Sequence, residues 1–182
     1  NDGDKVFALE QQVLSIVRVA DRSVRTLHLP QQASPLAVSP DGQLYIGSGI
    51  DGLMVLDVAT ERLRDEVIPT RGRVFDIAFS RDGKKAFLAQ SNAGVRRLSL
   101  STGELVQISD RKCPEALEMN KQGTRLYVAY QCSGLSGSPG HDVVEIFDVD
   151  TETRLQVIGG RDIPMVGGEP AASPDGNLLV FD

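Results

Sequence analysis

At 182 residues, 41% hydrophobic and 24% charged, the chain has the composition of a soluble globular protein and length enough for one domain with a sizeable core. A net charge of −6 and a pI of about 5.0 argue against nucleic acid as the main partner, because phosphate binding needs a basic footprint. No apolar run approaches the ~18 residues of a membrane helix, so no membrane insertion is expected.

The chain opens in a turn, Asp2-Gly3, with no visible signal peptide, and reads as a mature or trimmed piece. Strands are then predicted at Lys5 to Leu9, Val13 to Val19 and Val24 to Leu29. Pro35 to Val38 leads into the turn Ser39-Pro40-Asp41-Gly42, followed by strands at Leu44 to Gly47, Leu53 to Val58 and Leu63 to Ile68. The cycle returns as Val74 to Phe79, the turn Ser80-Arg81-Asp82-Gly83, and strands at Ala86 to Ala89, Val95 to Leu100 and Leu105 to Ile108. It returns again as Glu115 to Met119, the turn Asn120-Lys121-Gln122-Gly123, and strands at Leu126 to Tyr130, Val143 to Val149 and Leu155 to Ile158. A last hairpin runs from Glu169 to Phe181 around Ser173-Pro174-Asp175-Gly176.

In each turn Pro or its substitute sets φ, Asp bonds to backbone ahead of it, and Gly accepts φ > 0, so each copy is a hairpin tip. Counted at the residue before each Gly, the copies are 39, 41, 40 and 53 residues apart. A period near forty with short strands between turns is the mark of a repeat array. The predicted fold is all-β: a β-propeller of four-stranded antiparallel blades, with strands A to D counted outward and A running into the repeated turn. The 1–182 domain divides into blades at about 1–29, 34–68, 74–108, 114–158 and 169–182. Three are complete and those at the ends are partial. Strands apolar on both faces, such as Leu53-Met54-Val55-Leu56, fit sheets stacked face to face. The unmatched ends predict a part of a larger ring of roughly six to eight blades, or a ring closed with help from another chain.

Ala37-Val38-Ser39-Pro40-Asp41-Gly42 with Leu44-Tyr45-Ile46-Gly47, then Gly52 to Thr60, resembles the YVTN-type repeat of lactonase-like and surface-layer-like propellers. Arg125 to Ala129 and Val144 to Thr151 repeat the pattern, so the resemblance covers essentially the whole chain. Without Trp, the chain lacks a usual WD40 signature residue. The resemblance implies the fold and leaves three functions open, since fold carries no function of its own. The first is a non-enzymatic module that binds a protein or small ligand, as the recognition or sensor part of a larger bacterial protein. The others are a fragment of a lactonase- or quinoprotein-like enzyme and a surface-layer structural repeat. A lactonase-type site expects His, Arg and Glu around the central mouth, and only Arg and Glu are available there.

On a propeller the B–C and D–A loops share one face, where binding is expected, and the repeated turns lie on the other. The 53-residue interval comes from Gln131 to Asp142, a B–C loop about a dozen residues longer than its counterparts. It is either a ligand-contacting loop or a Gly/Ser-rich insertion that a surface loop tolerates. His141 and Asp142 lie in it as a candidate polar pair. Arg71, Arg73, Arg111, Lys112 and Arg161 fall in successive D–A loops, as an arc of positive charge for an acidic partner or as ordinary loop solubility. Asp76, Glu118 and Glu169 belong to strands A, beside the channel.

Cys113 and Cys132 are equidistant from the turn at Gln122 and Gly123. Opposed strand positions come close enough for a disulfide, which would place the chain in the periplasm or outside the cell. Asp57 and Asp148 are expected to bond to their C–D turns at Thr60 and Thr151. Phosphate-binding glycine loops, zinc spacings and nucleophile elbows are absent, so no catalytic residue, cofactor or metal is expected. Self-association through the incomplete end blades is a further expectation.

Overall fold

A computed structural model describes residues 3–48, 52–70, 72–91, 93–131, 143–159, 170–172 and 179–181. The chain divides into two compact units, Asn1–Val74 and Phe75–Asp182, and each unit is described by itself. All regular structure among the described residues is β.

In the first unit β1 (Lys5–Glu10), β2 (Val13–Arg18) and β3 (Val24–His28) form a three-stranded antiparallel sheet in chain order. These are strands B, C and D of a blade. The next sheet is β4 (Ala33–Val38), β5 (Gln43–Ser48) and β6 (Gly52–Asp57), with an outer strand broken into β7 (Arg62–Leu63) and β8 (Ile68–Pro69). One continuous strand from Leu63 to Ile68 had been expected. Leu56 pairs with Leu63, but Leu53 pairs with Ile68, so the outer strand carries two residues more than β6 can match. Arg64 still donates its N–H to Val55 O at 2.8 Å, and the surplus loops out within Asp65, Glu66 and Val67.

The second unit starts at β9 (Val74–Phe79), whose first residue is the boundary, and continues through β10 (Lys85–Gln90), β11 (Gly94–Ser99) and β12 (Leu105–Ser109). Then come β13 (Pro114–Met119), β14 (Arg125–Tyr130), β15 (Val143–Asp148) and β16 (Arg154–Gly159). Each set of four is one antiparallel sheet in chain order, and β17 (Pro170–Ala172) pairs with β18 (Leu179–Phe181) as the last hairpin.

The hairpin tips show why the turn recurs. Ser80 is buried; its Oγ donates to Asp82 Oδ1 at 2.7 Å and accepts the Lys85 N–H at 2.9 Å. Ser39 plays the same part, bonding Asp41 Oδ1 and accepting the Gln43 N–H at 3.1 Å. In the degenerate copy Asn120 Oδ1 takes the N–H groups of Thr124 and Arg125 at 2.8 and 2.9 Å. The first residue of the motif therefore plugs the turn from inside. The C–D turns close as expected, with Thr60 N and Thr151 N donating to Asp57 and Asp148 at 2.7 and 2.8 Å.

Within each unit the sheets stack face to face, because alternate side chains of the middle strands are apolar on both sides. Leu14 and Ile16 of the first sheet pack with Leu44, Ile46, Met54 and Leu56 of the next. Phe87, Ala89 and Val95 pack with Leu117, Leu126, Val128 and Phe147. A buried leucine or phenylalanine contributes about 1.5–3 kcal/mol in such a layer.

A carboxylate reinforces each stack. Glu61, after the turn at Asp57–Thr60, is only 3% exposed and meets Lys5 Nζ (3.0 Å), Arg18 Nη2 (2.6 Å) and Arg25 Nη1 (3.0 Å) of the preceding sheet. Glu152 stands at the same place after Asp148–Thr151, and meets Lys85 Nζ at 2.9 Å and Arg97 Nε at 3.2 Å. Lys5 and Lys85 also donate to the turn carbonyls of Val58 and Val149, at 2.6 and 3.0 Å.

Candidate functional site

Glu145 is the third residue of β15, in the run Val143-Val144-Glu145-Ile146-Phe147. It pairs across the sheet with Val128, as Met54 pairs with Ile46 two blades earlier. A carboxylate thus takes a place that a thioether fills elsewhere. It is 0% exposed, so its charge must be met by donors from inside the protein.

Four side chains from four segments meet it. Ser109, the last residue of β12, and Tyr130, the last of β14, donate to Oε2 at 2.9 and 2.8 Å. Arg111, in the link from β12 to β13, donates through Nε to Oε1 at 2.9 Å, and Arg154, the first residue of β16, does so through Nη1 at 2.9 Å. The Arg111 guanidinium also lies over the Tyr130 ring, 5.4 Å from its centroid, within cation–π range. Burial pushes the Glu145 pKa up, but the bonds from Arg111, Tyr130, Ser109 and Arg154 outweigh it and hold the carboxyl below its ordinary value. Burial also dominates at Tyr130 and raises its phenol far above the usual range. Glu145 is therefore ionised at neutral pH and Tyr130 is not.

The two arginines are not enclosed: Arg111 is 40% and Arg154 54% exposed. Beside them a groove of about 370 Å³ is lined by Gln107, Ile108, Ser109, Asp110, Phe147 and Arg154. A guanidinium has five N–H donors, and Glu145 Oε1 takes one from each arginine. Arg154 presents its guanidinium on the groove next to an apolar wall of Ile108 and Phe147, and Arg111 holds Glu145 from beside the Tyr130 ring.

The other expected site residues divide into three groups. Arg71, Cys132, His141, Asp142, Arg161 and Glu169 lie outside the described residues, as does the long loop itself from 132 to 142. Arg73 and Lys112 are exposed in their D–A links, whereas Arg111 turns back onto Glu145. Asp76 and Glu118 are brought together: Asp76 accepts the N–H groups of Ile77 at 2.8 Å and Leu117 at 2.6 Å, tying β9 to β13. Burial, and then the charge of Asp76, raises the Glu118 pKa. Among the described residues no three His, Cys, Asp or Glu side chains are grouped to hold a metal ion.

The register around Cys113 differs from the symmetry assumed for it. Met119 to Ala116 pair with Leu126 to Ala129 in that symmetry, but a bulge at Glu115 brings Pro114 opposite Tyr130. Gln131 N consequently donates to Cys113 O at 3.1 Å, which puts Gln131, one residue short of Cys132, across from Cys113. Cys113 is half-buried, with φ at 61°.

No protein-family model matches the chain, and no curated protein matches it. Among solved structures it is similar to hydrazine synthase of Kuenenia stuttgartiensis, with a TM-score of 0.83 and 20% identity over 98% of this chain and 52% of that one. It is also similar to the tricorn protease, with a TM-score of 0.67 and 16% identity over 98% of this chain and 18% of that one. The fold is a β-propeller, present in part. The chain spans about half of the first protein and under a fifth of the second, and at these identities the likeness carries the fold alone.

Proposed function

We propose that this propeller segment is a non-enzymatic binding module with YVTN-type repeats, which takes a carboxylate group of a protein or small ligand on Arg111 and Arg154. The observation that carries this reading is the buried Glu145, whose Oε1 holds both guanidinium groups at 2.9 Å. Arms ordered in advance lose little entropy when a ligand arrives. Glu145 offsets one of the two arginine charges, and Asp110 on the groove wall disfavours a second acidic group there. The volume suits a single side chain or a small molecule. The recognition or sensor role in a larger bacterial protein, and an extracytoplasmic setting that rests on a Cys113–Cys132 bond, belong to the same proposal.

The test is titration with an acetylated and amidated Gly-Gly-Glu-Gly-Gly peptide, which carries one carboxylate, followed by NMR, beside an assay on a panel of lactones. The expected result is binding that weakens as salt rises from about 20 to about 300 mM, falls at least about fivefold in Arg154→Ala, and comes with no lactone turnover. Absence of peptide binding to the wild-type protein, or turnover abolished in Arg73→Ala, overturns the reading.

A further inference from the structure

The glutamate staples divide the chain in a way that its repeats alone do not. Both are written Asp-Val-x-Thr-Glu, at Asp57 to Glu61 and at Asp148 to Glu152. Both glutamates have left-handed backbone, with φ of 55° and 58°, a conformation that favours Gly. The turn between them in sequence, Ser99 to Gly103, has Gly there, with φ of 71°. The lysine end varies in step: Lys5 and Lys85 open strands β1 and β10, while the first residue of β5 is Gln43. A staple is thus present at 5 with 61 and at 85 with 152; among the described residues the intervening pair of positions holds Gln43 and Gly103, which cannot form an ion pair, and Arg125, which opens β14, has no later C–D turn described to meet it. Each staple falls wholly inside one compact unit, and the unit boundary, Val74 to Phe75, lies between them in sequence.

We infer that Asn1–Val74 and Phe75–Asp182 unfold as two separate cooperative units, each locked by its own glutamate. In stacked-repeat chains stability is a sum of repeat and neighbour terms, so a strong neighbour term within each pair of blades makes the pair the unit of cooperation. Glu61 governs the first unit and Glu152 the second.

Hydrogen exchange on the full chain, read by mass spectrometry, tests this with Glu61→Gln and Glu152→Gln. Glu61→Gln should speed exchange in β2, β5 and β6 by roughly tenfold or more, while β10, β14 and β15 stay within about twofold of wild type. Glu152→Gln should do the reverse. Either variant speeding both units alike overturns the inference. If a variant does not fold, wild-type exchange across a urea series decides: loss of protection in two steps supports the inference, and loss in one step ends it.

Discussion

Lys5 Nζ lies 3.0 Å from a carboxylate oxygen of Glu61 and 2.6 Å from the carbonyl oxygen of Val58, so one ammonium grips both the side chain and the backbone of the neighbouring blade's turn. The bond from Lys5, opposed by burial and helped by Arg25 and Arg18, lowers the Glu61 pKa from 4.5 to about 2. A folded-state pKa below the unfolded one means that the unfolded chain binds the extra proton as pH falls. The staple's contribution is therefore complete above about pH 4.5 and is lost progressively down to about pH 2. Urea unfolding at pH 7, 4 and 3 should show this fall, and Glu61→Gln should flatten the part that Glu61 causes.

Ser80→Ala should destabilise the second unit by about 1–2 kcal/mol, because the buried Oγ both accepts the Lys85 N–H and donates to Asp82. Ser39→Ala should act alike in the first unit. Urea midpoints measure both, and an unchanged midpoint in each would reduce the recurring turn to a backbone preference.

Tyr130→Phe removes one of the two hydroxyls on Glu145 Oε2 and nothing of the ring that Arg111 covers. A loss of about 1–2 kcal/mol is expected, with peptide binding retained. Glu145→Ala should lose about 1.5–3 kcal/mol and binding together. A Glu145→Ala protein that binds as tightly as wild type would separate the arginines from their anchor.

Gly47 is set by close approach: a Cβ there would stand 2.6 Å from Ser34 O and 2.8 Å from Pro35 Cδ. Gly47→Ala should cost about 1–3 kcal/mol, measured by thermal unfolding.

The proposed Cys113–Cys132 bond is checked by thiol titration of protein purified without reductant. No free thiol supports the bond. Two free thiols remove it, and the extracytoplasmic setting with it.

The blades were legible because one turn motif recurs with apolar strands on both sides of it, and every strand expected in the second unit is found within about two residues of its place. The broken outer strand was not, since Leu63 to Ile68 has the apolar ends of a strand and the surplus of Asp65 and Glu66 shows only against β6. Arg111 stands out in the sequence by its charge, whereas its partner Glu145 does not. The signal was a glutamate among the apolar residues 143–147, and the donors that neutralise it lie up to 36 residues away. Asp57 and Asp148 bond to their turns as their spacing from Thr60 and Thr151 implies, while the glutamate that ends each turn gives no local sign of the neighbouring sheet that it holds.

Half of every staple belongs to one repeat and half to the next. Copying a single forty-residue segment would therefore duplicate a lysine without its glutamate, or a glutamate without its lysine. The smallest stretch that can be inherited, transplanted or redesigned with its fastening intact is a tandem of two.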